Sequence, residues 1–281
     1  MSNDQQITAH YSGSELLSSI EAGLTAMGKT AATATMEDLA PVDEFHIGGR
    51  AATTKLCEQL GVLAESKVVD IGCGIGGTAR FISSTFGCQV TGIDLTSEYI
   101  DVARTLSDWT GLGEQLRFEA GSALDMPFND GSFDVAAQLH VGMNIEDKGA
   151  LFEEVFRVLR PGGRFGVYDV MGESGAEHAY PVPWATNSSM SFVDSQSNYR
   201  QALESAGFVI RTETNRRDFA VDFFAVLKQR MAQVGGPPPL GLHLIMGDDA
   251  ATKIAHMIEA VASGALAPVE LVCEKPLSQG S

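Results

Sequence analysis

The stretch from Lys67 to Asp94 reads KVVDIGCGIGGTARFISSTFGCQVTGID and holds two carboxylates around a run of glycines. Asp70 precedes Gly72-Cys73-Gly74-Ile75-Gly76-Gly77. Glycines let a backbone turn tightly and let a ligand approach it closely. Asp94 follows Gly76 by 18 residues, about where a carboxylate accepts hydrogen bonds from both ribose hydroxyls of a bound nucleotide. Gly72, Gly74 and Gly77 also fit the dinucleotide spacing GxGxxG. Further on, His140 follows an apolar run by one residue. Imidazole is the side chain that titrates near neutrality, so His140 is read as a general base or as a partner that orients a nucleophile. Packing against a cofactor is its other reading. Gln138 and Asn144 could orient a substrate but cannot act as bases.

The elements around these groups are those of a nucleotide-binding βαβ unit. Lys67 to Ile71 is a short apolar, β-branched run that suits a buried parallel strand. Thr78 to Phe86 is helical in character, Gly87 ends it, and Cys88 to Ile93 is a second strand. Thr96 caps a helix whose apolar face is Tyr99, Val102, Ala103 and Leu106. Gln115 to Glu119 is a third strand, and Phe133 to Leu139 a fourth after the turn Asn129-Asp130-Gly131. In open α/β sheets ligands bind outside the carboxyl ends of the strands, so Gln138, His140, Met143 and Asn144 border the site. Asp125 reads as a solvated loop acid.

Asp147 to Leu159 is a helix ended by Arg160-Pro161-Gly162-Gly163, with a fifth strand from Arg164 to Val170. The loop Tyr180-Pro181-Val182-Pro183-Trp184-Ala185 follows, and Trp184 either lines the pocket or plugs the core. Ser195 to Ala206 is a helix and Phe208 to Thr214 a strand. The span 218–264 is too long for a plain hairpin. It holds helices from Val221 to Val234 and from Asp248 or Asp249 to Ser263, around Gly235-Gly236-Pro237-Pro238-Pro239. Such an insert beside the strand ends is a natural lid. Pro268 to Glu274 is the last strand.

Upstream, residues 1–13 are polar and expected to be mobile. Ser14 to Met27 is an amphipathic helix and Thr30 to Thr35 a linker. Gly48-Gly49 ahead of Arg50 to Leu60 reads as a loop feeding a helix N-terminus, which suits a carboxylate. His46 lies just before it. The domain reading is therefore a helical cap over 1–62 and an α/β domain over 63–281, with 218–264 as the lid.

Composition sets the outer limits. The chain has 281 residues, 44% of them apolar, and a net charge of −17 from 36 acidic and 19 basic residues. That charge repels polyphosphate, so nucleic acid is not the expected substrate. Cys57, Cys73, Cys88 and Cys273 show no paired CxxC spacing, so neither a metal site nor a disulfide framework is expected. No 18-residue apolar run occurs, and the N-terminus lacks an apolar signal region. A cytoplasmic protein without membrane partners is expected, as monomer or homodimer.

The order D-I-G-C-G-I-G-G resembles motif I of the class I S-adenosylmethionine-dependent methyltransferases. Ser132-Phe133-Asp134 before an apolar strand is a feature of the same family, and Leu159 to Arg164 resembles its LKPGG turn. The resemblance covers about residues 67–171. It implies a Rossmann-like seven-stranded sheet with the last strand antiparallel, and S-adenosylmethionine as cofactor. By its pattern the glycine turn (Asp70, Gly72, Cys73, Gly74, Gly76) holds the methionine moiety and Asp94 with Leu95 the ribose. The segment Ser122, Ala123 and Leu124 meets the adenine; an acidic residue is common where Ser122 stands. Gln138 belongs to the same cofactor set. His46, Gly48 and Gly49 match a pre-core segment that closes over the cofactor carboxylate in several small-molecule enzymes. Met143, Asn144 and Trp184 are the implied substrate contacts, His140 the implied catalytic group, and no metal is implied.

The front helical segment, the insert and the His-Val-Gly-Met-Asn-Ile stretch look like the branch of glycine, sarcosine and dimethylglycine, phosphoethanolamine and quinone-biosynthesis methyltransferases. Methylation of a small molecule, of the sarcosine or dimethylglycine N-methyl type, is the implied function. The acceptor atom (nitrogen, oxygen, sulfur or carbon) is left open. A cofactor-binding protein without transferase chemistry and an NAD-dependent oxidoreductase are the alternatives.

Overall fold

A computed structural model describes residues 15–172, 177–234 and 238–277. Residues 1–14, 173–176, 235–237 and 278–281 lie outside it, and with them the expectation for residues 1–13 and most of the proline-rich turn. Before the sheet come three helices, α1 (Leu16–Ala26), α2 (Met36–Asp43) and α3 (Gly49–Leu60). The expected linker over 30–35 contains a single 3-10 turn, Ala31–Thr33. Helix α2 was not expected there. Thr35 starts it by accepting from the Asp38 amide while the Asp38 carboxylate accepts from the Thr35 amide, a reciprocal cap. Pro41 sits inside α2, which obscures the helical pattern in the sequence.

The alternating core then runs β1 (Lys67–Ile71), α4 (Gly77–Phe86), β2 (Gln89–Asp94), α5 (Ser97–Trp109), β3 (Leu116–Ala120), β4 (Phe133–Leu139), α6 (Lys148–Val158) and β5 (Leu159–Gly172). The remainder is α7 (Gln196–Ser205), β6 (Val209–Asn215), α8 (Arg217–Val234), α9 (His243–Met246), α10 (Ala250–Ser263) and β7 (Leu266–Glu274). Strand order is β3-β2-β1-β4-β5-β7-β6. The first five strands are parallel, and β7 runs antiparallel to both β5 and β6. This is the expected seven-stranded methyltransferase sheet with its last strand reversed. The expected turn at 160–163 is drawn into β5. Leu159 already pairs with Phe133, and the register shifts between there and the Val135–Arg164 pair.

Two apolar clusters cover the two faces of the sheet. One joins α3, α4 and α5 to Val68, Val90 and Val135. The other joins α6 and α7 to Val69, Phe165 and Leu271. Both faces are apolar because parallel strands are covered by helices on each side. A third cluster packs α8 and α10 against Val170 and Leu266, and a fourth sets α1 and α2 against α5 and Leu240. The front helices and the insert therefore meet over the same end of the sheet.

The close approach of α2 to α4 depends on Gly77. A β-carbon there would stand 2.3 Å from the Asp43 carbonyl oxygen. The contact is locked by Arg80, which is fully buried, and whose guanidinium donates to the Asp43 carboxylate at 2.5 Å, to the Ile75 carbonyl at 2.8 Å and to the Ala103 carbonyl at 3.3 Å.

Candidate active site

Gly72 and Cys73, where β1 turns toward α4, both donate their amides to the Ile93 carbonyl, at 2.8 and 3.0 Å. Those two bonds bring the turn beside the end of β2. There the Asp94 carboxylate accepts from the Gly74 amide at 2.9 Å through Oδ2 and from the Thr96 amide at 2.9 Å through Oδ1. The glycines have separate jobs. A β-carbon on Gly72 would strike Val141 at 2.4 Å, and one on Gly76 would strike Phe118 at 2.8 Å. Gly74 has φ +53°, and a β-carbon there would meet no atom within 4 Å. Gly74 thus presents bare backbone to open space, whereas Gly76 is a packing glycine.

That space is a cavity of about 310 Å3. Gly72, Cys73, Gly74, Asp94 and Leu95 form one side, and Ser122, Ala123 and Leu124 continue it beyond β3. His46, His140 and Asn144 form another side. Eleven of the residues expected at the site are therefore brought together. Asp70, Gly76, Gln138, Gly48, Gly49, Met143 and Trp184 are not among the lining residues. Gln138 donates its amide to the Asp169 carboxylate at 2.6 Å. Trp184 lies in the third cluster with Met143 and donates to Ser191 Oγ at 2.9 Å. Gly48, at φ +94°, caps α3 and packs on Phe219. Asp70 is buried beneath the turn.

The sequence reading missed Asp43, Phe45 and Ile245, all in the lining. Asp43 and Phe45 come from the unexpected end of α2, and Ile245 from the short helix α9 in the insert. Their only sequence signal was membership of the front segment and of the insert.

Burial governs the titration of this region. Asp94 and Asp43 are raised above the ordinary carboxylate range, first by burial. Asp70 is pushed up to about 8 by burial and then by the nearby Asp94 and Glu44 charges. Its Oδ2 has no hydrogen-bond partner among the described residues. Glu44 is pushed up to about 7 by burial and then by Asp43. It stands 3.5 Å from Arg50 and 3.6 Å from His46 without a hydrogen bond to either. His46 is pushed down to about 4, first by burial, and its Nε2 lies 2.9 Å from Thr53 Oγ1 and 3.1 Å from the Gly49 carbonyl.

His140 falls well below its ordinary value, through burial and then through His46, 6.1 Å away between ring centroids. Its Nε2 is closed off from solvent and has no partner among the described residues. At neutral pH His140 is therefore an uncharged imidazole. Its backbone is left-handed, with φ +58°, a conformation that a non-glycine residue holds only when its neighbours impose it. Asp169 imposes it. That buried carboxylate accepts from the amides of Val141 at 2.7 Å and Gly142 at 3.1 Å, and Tyr199 donates to it at 3.2 Å.

The residues present fit the expected cofactor. An open glycine backbone and a ribose-spaced carboxylate on the wall of one cavity suit S-adenosylmethionine, with its amino-acid and ribose groups. Residues 69–167 match a family described as methyltransferase domain. Sterol 24-C-methyltransferase ERG6A of Gibberella zeae is 38% identical over 114 residues, which are 41% of this chain and 30% of that protein. The chain spans between 28% and 62% of the length of the curated relatives it matches. Among solved structures, geranyl diphosphate C-methyltransferase from Streptomyces coelicolor, bound to Mg2+, geranyl diphosphate and S-adenosyl-L-homocysteine, superposes with a TM-score of 0.65 at 20% identity. That match covers 81% of this chain and 78% of that one. A structure described as a putative sarcosine dimethylglycine methyltransferase from Galdieria sulphuraria gives 0.64 at 22%, covering 80% and 86%. At these identities the structures speak to the fold.

The raised Glu44 has a measurable consequence. Folded Glu44 keeps a proton up to about pH 7, whereas an unfolded glutamate, ordinarily near 4.5, gives it up earlier. Between those values the unfolded chain is deprotonated first, so this residue's contribution to stability falls as pH rises. Glu44→Gln is expected to flatten that fall in urea denaturation of the ligand-free protein between pH 4.5 and 7. An unchanged slope would show that Glu44 ionises normally.

Proposed function

We propose that this chain, whose residues 69–167 form a class I methyltransferase domain, transfers the methyl group of S-adenosylmethionine to a small molecule. The observation that carries the reading is the Gly74 backbone, open to the cavity and held against the Asp94 carboxylate. When bound, S-adenosylmethionine supplies a methyl carbon that a nucleophile displaces from a sulfonium sulfur, which leaves as the neutral sulfide.

The protein's part is alignment, exclusion of water and, for a protonated nucleophile, removal of a proton. Asp94 is placed to accept from ribose hydroxyls, and the Gly72–Gly74 backbone to hold the amino-acid end. Residues 122–124 lie where an adenine would rest. The neutral Nε2 of His140 is free to accept a proton from the acceptor. Asp169, through the backbone of Val141 and Gly142, sets the loop that aims it. The finer reading, an acceptor of the sarcosine or dimethylglycine kind, has only the description of the Galdieria structure beside it, and the charge of the cavity lining weighs against it.

We treat residues 1–62 as a cap and 218–264 as a lid, on the ground that Ile245 reaches the cavity while Leu240 packs on α1. Water exclusion is then their shared task.

Four outcomes are expected. Asp94→Ala should weaken S-adenosylhomocysteine binding about ten- to a hundredfold in calorimetry, the loss of a charge-assisted acceptor. A change of less than twofold would remove Asp94 from the site. His140→Ala should lower turnover roughly 10²–10⁴-fold with cofactor affinity kept. Wild-type turnover should show no loss as pH falls through 6.5, because the folded imidazole protonates only well below that value. Near-normal turnover in the variant, or a loss seen wholly in cofactor affinity, would retire His140 as a base. Finally, S-adenosylhomocysteine should slow amide hydrogen exchange across 240–246; exchange unaffected by the ligand would make the insert a fixed structural element.

A further inference from the structure

The cavity's charge bears on what kind of acceptor can enter it. Its lining contains the carboxylates Asp43, Asp94, Glu146 and Asp147, and no lysine or arginine among the described residues. The undescribed segments cannot supply one, because residues 1–14, 173–176, 235–237 and 278–281 include no lysine or arginine in the sequence. The nearby cations are engaged elsewhere. Arg80 is bound to Asp43 and to backbone carbonyls. Arg50 donates to the Met36 carbonyl and lies beside Glu37 and Glu44.

The two histidines add no positive charge, since burial keeps both neutral. Of the four carboxylates, Asp43 faces Arg80 and Asp94 takes two amides, while Glu146 and Asp147 are exposed, Asp147 also capping α6. The uncharged remainder of the lining includes the apolar Phe45, Leu139, Val141, Ile145 and Ile245, and His46 stands 6.1 Å from His140 between ring centroids.

An anionic group placed there would lose its hydration without gaining a counter-charge. It would also approach against a net charge of −17. Among the described residues no group of three histidine, cysteine or acidic side chains forms a metal site of its own, although a metal bridging a phosphate needs only one or two carboxylates such as Glu146 or Asp147. A cation would find its nearest carboxylates already engaged or out at the solvent edge.

We infer that the acceptor is an uncharged, largely apolar molecule, because the lining holds no lysine or arginine among the described residues to pair with a carboxylate or a metal-free phosphate. The inference rests on the methyl-transfer reading, and it sets this chain apart from neighbours named for geranyl diphosphate and for sarcosine and dimethylglycine.

The test is calorimetric, at pH 7, on the full chain saturated with S-adenosylhomocysteine. Three probes share one ring system: 2-naphthol, its anionic analogue 3-hydroxy-2-naphthoic acid, and the cationic 2-naphthylmethylamine. The neutral probe is expected to bind saturably and at least tenfold more tightly than either charged one, with or without magnesium. Equal or tighter binding by a charged analogue overturns the inference, as does the absence of saturable binding by 2-naphthol. Ile245→Arg, which adds a cation to the roof, is expected to reverse the order of the neutral and anionic probes; an order unmoved by that charge counts against Ile245 facing the acceptor and so against the inference. S-adenosylhomocysteine binding is measured first. Its failure would sink the methyl-transfer reading, whereas cofactor binding together with a preference for the anion would sink only the acceptor class.

Discussion

The buried pair of Arg80 and Asp43 is the contact on which the site depends. A guanidinium with no solvent contact needs a counter-charge, and leaving it unpaired would be strongly destabilising. Arg80 belongs to the helix that follows the glycine turn, and Asp43 ends a helix of the front segment. Their union brings the front segment down onto the α/β core at Gly77, where only a hydrogen fits. The wall of the cavity that carries Asp43, Phe45 and His46 exists because of that contact. Breaking it would leave the glycine turn intact but open on one side.

The pair also explains the unusual acidity of the neighbourhood. One guanidinium neutralises one carboxylate, yet Asp43, Glu44, Asp70 and Asp94 gather within the same buried region. Burial lifts all four above the ordinary carboxylate range, Glu44 to about 7 and Asp70 to about 8.

The sheet and the cofactor side of the cavity were legible in the sequence because both are local. A strand, a glycine turn, a helix and an acidic residue follow one another within 28 residues, and each has a steric reason to be what it is. His140 was legible too, through its position after a strand. What was not legible came from contacts between distant segments. Pro41 hid α2, and with it the whole front wall. Ile245 reaches the cavity only because Leu240 packs against α1. Gln138 and Trp184 were expected at the site on position alone. Each instead satisfies a polar group inward, on Asp169 and Ser191, a choice made by tertiary neighbours rather than by sequence spacing. The turn at 160–163 was recognised by composition, but its inclusion in β5 depends on pairing with β4.

The strand order has a consequence for how the chain must assemble. β6 pairs only with β7, and β7 lies between it and β5. Until residues 266–274 exist, β5 presents an open edge, and β6 has nothing to join. On a ribosome the parallel half of the sheet is complete long before that edge is closed. An open edge of this kind is a template for pairing with another chain, and nascent domains are exposed to it in proportion to the delay. The stretch between β5 and β7 includes the helices of the insert, so every residue there lengthens the interval. The segment that brings Ile245 to the cavity thus also sets how long the growing protein stays vulnerable to misassociation.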